Sequence, residues 1–259
     1  MLALITNDDG VTSTGIRVLA SCAEQSGLEV LVAAPSWDSS GASASLTAVE
    51  SDGRLLVDET ELEGVQGRCV SLEAAPAFIV RSAMSGAFGR VPDVVLSGVN
   101  HGPNTGHAVL HSGTVGASLT AATHDVPTIA FSLDTRGHGT NWATVADVVR
   151  AVLSGSRWDR HPGLALNVNI PDVPRAQLRG LEQARLAPFG AVTVNVTETG
   201  AGYVSLRYSE PQERAAADTD VALLRDGHAT VTVLEPLGER RTELDLRALD
   251  GVLGHLGTD

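Results

Sequence analysis

Short, largely apolar runs at 2–6, 30–34, 94–97 and 129–132, with a further one at 165–170, punctuate the first two thirds of the chain. The first four lack the polar alternation of a strand with one wet face, as expected for parallel strands covered on both sides. Between them lie helix-length segments at 14–25, 77–88, 114–123 and 142–153. Strand–helix–strand succession predicts an α/β fold, a doubly wound and mostly parallel sheet with right-handed crossovers. Functional groups in such sheets collect in loops beyond the strand C-termini.

The pattern changes after about Pro174. Segments 192–196 and 204–208 have strand propensity on either side of Glu198-Thr-Gly-Ala-Gly202, which predicts a β-hairpin. A polar stretch at 210–220, a strand at 229–234 and a terminal helix at 241–256 complete the reading. The expected division is a core over 1–180 and a hairpin-and-helix extension over 181–259, serving oligomerisation or acting as a lid. Val192, Val194, Val204, Leu206, Val231, Val233 and Leu234 need a surface to cover them, either the chain's own core or a neighbouring subunit.

Composition narrows the class. A chain of 259 residues with 43% hydrophobic and 19% charged residues is in the range of globular proteins. No stretch approaches the roughly 20 apolar residues of a membrane helix, so no membrane partner is expected. The N-terminal residues reach two carboxylates too early for a secretory signal. Cys22 and Cys69 are too few for a disulfide framework. Both features fit a cytoplasmic location. A net charge of −13 repels phosphate polymers and argues against duplex nucleic acid as a partner. A small phosphorylated substrate remains open, because one metal ion reverses the field inside a pocket.

Candidate chemistry sits where the sheet model puts strand ends. Thr6-Asn7-Asp8-Asp9-Gly10 follows the first strand, and adjacent carboxylates there repel one another unless a cation or proton neutralises them. Hard divalent cations such as Mg²⁺ or Mn²⁺ suit these oxygens, while a helix N-cap is the competing use of Asp8 or Asp9. Leu96-Ser-Gly-Val-Asn-His-Gly-Pro-Asn-Thr-Gly106 offers the Asn100 and Asn104 amides, or simply a turn. His111-Ser-Gly-Thr-Val-Gly116 opens a helix, where Ser112, Gly113 and Thr114 either bind phosphate or cap. Ser39-Ser-Gly-Ala-Ser-Ala-Ser45, alone, is a flexible loop. His101, His107 and His111 lack the spacing of a helical zinc pair. A Gly-x-Ser-x-Gly elbow, a Walker loop and a dinucleotide fingerprint after the first strand are all missing.

Taken in order, Asn7-Asp-Asp-Gly10, Ala34-Pro35 with its Ser-rich loop, Ser97-Gly-Val-Asn-His-Gly-Pro-Asn104 and Ser112-Gly-Thr-Val115 resemble the SurE family of metal-dependent nucleotidases and acid phosphatases. Leu166-Asn-Val-Asn-Ile-Pro171 and Asp218-Thr-Asp220 continue the resemblance as structural markers. It implies a Rossmann-like core with a C-terminal extension exchanged between subunits, in a homodimer or homotetramer. It also implies a divalent ion, Mg²⁺ or Mn²⁺, on Asp8, Asp9, Ser40 and Asn100. Ser40 is preferred to Ser39 because Ala34-Pro35 and Leu46-Thr47 set the register of the loop. Asn104, Ser112, Gly113 and Thr114 would hold the phosphate, and one of the two aspartates, Asp9 in preference to Asp8, would also handle a proton. The implied activity is hydrolysis of nucleoside monophosphates or similar small phosphomonoesters. A pathway-specific phosphatase for a phosphorylated sugar or secondary metabolite, and a catalytically weak phosphometabolite-binding protein, are the alternatives.

Overall fold

A computed structural model of the chain describes residues 1–135, 140–156, 163–190, 193–209 and 215–238. The chain starts in the interior of a nine-stranded sheet. β1 (Leu2–Thr6) leads through α1 (Thr14–Gln25) to β2 (Glu29–Pro35). A small pair, β3 (Glu50–Ser51) and β4 (Arg54–Leu55), precedes β5 (Val57–Thr60) and β6 (Arg68–Leu72). Next come α2 (Pro76–Met84), β7 (Val94–His101), a 3-10 turn at Gly106–His111, α3 (Gly113–Ala122) and β8 (Thr128–Asp134). α4 (Trp142–Gly155), β9 (Ala165–Pro171) and β10 (Leu181–Gln183) follow. The described chain closes with β11 (Thr193–Gly200), β12 (Tyr203–Ser209), α5 (Asp220–Arg225) and β13 (Ala229–Leu234).

The sheet order is β10-β13-β9-β8-β7-β1-β2-β6-β5. Strands β6, β2, β1, β7, β8 and β9 are parallel, whereas β5 and β13 run antiparallel to β6 and β9. From β1 the chain moves outward to β2 and β6, then returns to build β7, β8 and β9 on the other side. The loops after β1 and β7 therefore part at a topological switch point, the usual place for a ligand crevice in such sheets.

Packing explains the apolar runs. In β1, Ala3 and Ile5 join a core cluster with Ile16 and Leu19 of α1 and Val145 and Val149 of α4. Leu2 and Leu4 point the other way, to Ile79 and Val80 of α2 and Ala117 and Ala121 of α3. Both faces are dry, so no polar alternation survives. Among the described residues no helix is long and apolar enough to cross a membrane.

The α/β sheet, its core strands and α1 to α4 match the sequence expectation. α2 stops earlier than expected, at Met84, because Gly86 adopts φ +82° and turns the chain out of the helix. The short strands β5, β6 and β10 and the helix α5 were not anticipated; β5 and β10 are the two edges of the sheet, with mostly exposed residues and no apolar signature. β10 and β13 extend the core sheet, while β11 and β12 form a separate antiparallel hairpin with its turn at Ala201-Gly202. Val192 and the helix expected at 241–256 lie outside the described residues.

Candidate active site

The turn after β1 is built by Asn7. Its buried amide nitrogen donates to Gly10 O at 3.0 Å and to Ser13 Oγ at 2.8 Å, closing the turn that carries the two aspartates. Gly10 has φ +93°, and Trp37 backbone atoms would stand 3.4 Å from any Cβ there. Ser13, not an aspartate, caps α1, accepting from Ile16 N. Neither Asp8 nor Asp9 caps α1.

Asp8 is only 3% exposed. Thr114 Oγ1 donates to its Oδ1, and the backbone amides of Gly113 and Thr114 also favour its charge. Burial outweighs these donors and pushes its pKa up. α3 can begin against this carboxylate only because residue 113 is glycine: a Cβ would lie 2.7 Å from Asp8 Oδ2. Asp9 accepts from His101 N at 3.0 Å through Oδ2, which ties the end of β7 to the end of β1. Its pKa is pushed up to about 6, mainly by burial, with the negative charges of Asp8 and Asp38 adding to the rise. Among the described residues neither carboxylate is paired with an arginine.

Asn100 donates its Nδ2 to Gly102 O at 2.7 Å, which leaves its amide oxygen for a cation. Ser39 lies against Asp8, whose carbonyl accepts from Ser39 N at 2.7 Å and from Ser39 Oγ at 3.3 Å. Ser40 is exposed and engaged with Asp38, donating Oγ at 2.6 Å and N at 2.9 Å to Asp38 Oδ1. Asp8, Asp9 and the β7 end that carries Asn100 are therefore brought together, with the Ser39–Ser40 loop beside them. Ser112 caps α3, its Oγ accepting from Val115 N at 3.0 Å. Thr114 is fully buried with its hydroxyl on Asp8. His101, His107 and His111 are exposed. Among the described residues no group of three or more His, Cys, Asp or Glu is placed to hold a metal. A cation here would rest on two carboxylates plus neutral oxygens.

Asn104 is held from below. Its N donates to Asn169 Oδ1 at 2.8 Å, and its carbonyl accepts from Asn167 Nδ2 at 2.8 Å and Asn169 Nδ2 at 2.9 Å. Its own Nδ2 donates to Ser132 Oγ at 2.8 Å. Asp220 anchors the end of the same loop, accepting from Gly106 N at 2.7 Å. The sequence did not single out these four supports of the loop as such. The signal was there for the asparagines: two amides two residues apart in a buried strand need partners, and both lie on one face. A 590 Å³ apolar cleft lined by Ile129, Val152, Leu166, Val231 and Val233 lies at the opposite, N-terminal ends of β8 and β9 and holds none of these groups.

The model of the family described as Survival protein SurE matches residues 3–190. The chain belongs to the SurE family. Over 237 residues it is 34% identical to the 5'-nucleotidase SurE of Clostridium tetani, covering 90% of this chain and 93% of that one. The 5'-nucleotidase SurE of Xanthomonas campestris is 32% identical over 262 residues, covering 99% and 96%. The crystal structure of the SurE protein from Aquifex aeolicus superimposes with a TM-score of 0.71 at 25% identity, covering 99% of this chain and 100% of that chain. At the level of the family this chain is a SurE-like phosphohydrolase.

Proposed function

We propose that the chain is a divalent-metal-dependent phosphomonoesterase that hydrolyses nucleoside monophosphates or similar small esters at the switch point. The observation that carries this is the pair Asp8 and Asp9, the first buried and the second half-buried beside it, freed from capping and, among the described residues, paired with no arginine. Such a pair fits a hard cation, and the neutral oxygens of Asn100 and Ser40 complete a set suited to Mg²⁺ or Mn²⁺. When bound, that ion supplies Lewis-acid polarisation of a phosphate oxygen and orients water.

The chain's own residues do the rest. Asn7 and Ser13 fix the turn, and Thr114 orients Asp8 through its hydroxyl. The α3 N-terminus with Ser112 and Gly113, together with Asn104, offers donors to the equatorial oxygens of a transferring phosphoryl group. Thr114 contributes on that side through the carboxylate it holds. Asp9, already inclined to keep a proton near pH 6, is placed to exchange one with water or leaving group. The exposed hairpin residues Val194, Val196, Val204 and Leu206 support a homodimer or homotetramer built through β11 and β12.

A panel of nucleoside monophosphates, sugar phosphates and 4-nitrophenyl phosphate, assayed for phosphate release with Mg²⁺, Mn²⁺ or chelator, tests the reading. Metal-dependent release with preference for nucleotides is expected. Preference for a sugar phosphate would shift the substrate class, and metal-dependent binding without release would indicate a phosphometabolite-binding protein.

A further inference from the structure

The loop that carries Asn104 ends at Gly106, and the carboxylate that receives its amide comes from 114 residues away. Asp220 is completely buried. One of its oxygens accepts from Gly106 N at 2.7 Å; the other accepts from Ala187 N at 3.0 Å and Val221 N at 2.8 Å. The segment around Ala187 runs along the loop. His107 N donates to Ala187 O at 3.1 Å, and Asp220 N donates to Arg185 O at 2.9 Å. A Cβ on Gly106 would stand 1.8 Å from Phe189 O, and one on Gly190 would stand 2.5 Å from the Ala108 Cβ. This segment continues toward the exposed hairpin β11–β12.

We propose that Asp220 is a positioning residue that fastens the phosphate-side loop to the C-terminal segment, making phosphate recognition depend on where that segment lies. The proposal rests on the reading of the cleft as a phosphomonoesterase site. A carboxylate is required by the donor count, since three N–H groups converge and the side chain has no proton to return. In Asp220→Asn the amide oxygen can keep the Ala187 and Val221 donors, but the amide nitrogen then faces Gly106 N, donor against donor. The lesion falls on the site loop. Gly106→Ala attacks the same contact from the other side, because its φ of +56° and the Phe189 carbonyl leave no room for a side chain.

Both variants, in the full-length chain, are to be compared with wild type for 4-nitrophenyl phosphate turnover, inhibition by inorganic phosphate and Mn²⁺ affinity. The expected result is a rise of about tenfold or more in KM and in the phosphate inhibition constant, with Mn²⁺ affinity within about twofold. Amide exchange at Gly106 in Asp220→Asn should quicken, while Asp218→Asn, at the exposed neighbouring carboxylate, should match wild type. Phosphate constants unchanged in both variants, with an active wild type, would overturn this inference alone. Mn²⁺ affinity falling in step with phosphate affinity would also overturn it, since that is general damage. A wild-type protein that neither hydrolyses nor binds phosphate would instead remove the functional reading, and this inference with it.

Discussion

Thr114, at the start of α3, donates its hydroxyl to the carboxylate of Asp8, at the end of β1. The bond joins the helix N-terminus to the first strand across 106 residues of sequence, with both side chains buried. Thr114→Val keeps the shape and removes the donor. Asp8 then loses a hydrogen bond that favours its charge, so its pKa should rise further and its hold on a cation weaken. Calorimetry should find Mn²⁺ affinity about 10- to 100-fold lower in Thr114→Val and near wild type in Thr114→Ser. Equal affinity in both would mean that the hydroxyl does not prepare Asp8.

Asp9 sets a pH dependence whose sign can be worked out. Its folded pKa of about 6 exceeds the ordinary value of 3.8, so the folded protein holds this proton more tightly than the unfolded chain. The resulting stabilisation is complete below 3.8, fades as pH rises from 3.8 to about 6, and is gone above. The proposed metal binding should run the opposite way, strengthening as pH rises through about 6, because a ligating carboxylate must be ionised. In thermal melts of the metal-free protein, Asp9→Asn should stabilise at pH 7 and flatten the pH profile between 4 and 6. A variant no more stable than wild type at pH 7 would show that Asp9 is not strained by burial.

Asn169 holds both backbone groups of Asn104, accepting from N and donating to O. Asn169→Asp retains the acceptor and loses the donor; Asn169→Leu loses both and leaves a part-buried N–H unpaired, at a cost of about 1–3 kcal/mol. Turnover should fall in that order, with the Leu variant losing roughly 10- to 1000-fold if Asn104 donates to the transition state. Kinetics and melting measured side by side decide it. A loss of stability with turnover intact would make Asn169 a strand residue only.

Much of this fold was legible because burial on both faces writes a simple signal. Leu2–Thr6 and Thr128–Asp134 have every residue buried, and their apolar runs stood out without any partner in view. The edge strands did not: Leu181–Gln183 is exposed throughout, so pairing with β13 rather than composition makes it a strand. At the site, the convergence of Asp8, Asp9 and the strand end carrying Asn100 was legible, because strand ends at the switch point meet by topology alone. Whether an aspartate caps α1 was not, because it turned on Ser13 taking that cap. Ser112 is seen capping α3, which is compatible with either use of its hydroxyl. Asp220 could not be assigned a partner from sequence, since Gly106 and Ala187 meet it only after the sheet has formed.

Val196 and Leu206 form a cross-strand pair in the hairpin and are 63% and 50% exposed. Apolar pairs of this kind call for a covering surface. Sedimentation of the full-length protein at micromolar concentration should give a dimer or tetramer, and Val196→Asp with Leu206→Asp should shift it toward monomer. A wild-type monomer under those conditions would exclude assembly through the hairpin.

The central claim is that Asp8 and Asp9 hold the ion on which phosphate release depends. The most direct measurement is the titration of Mn²⁺ into wild type and the Asp8→Asn, Asp9→Asn double variant, with phosphate release from a nucleoside monophosphate followed in the same samples. Wild type should bind and turn over; the double variant should do neither while unfolding at an equal or higher temperature in the absence of metal. A folded double variant that keeps full Mn²⁺-dependent release would contradict the claim.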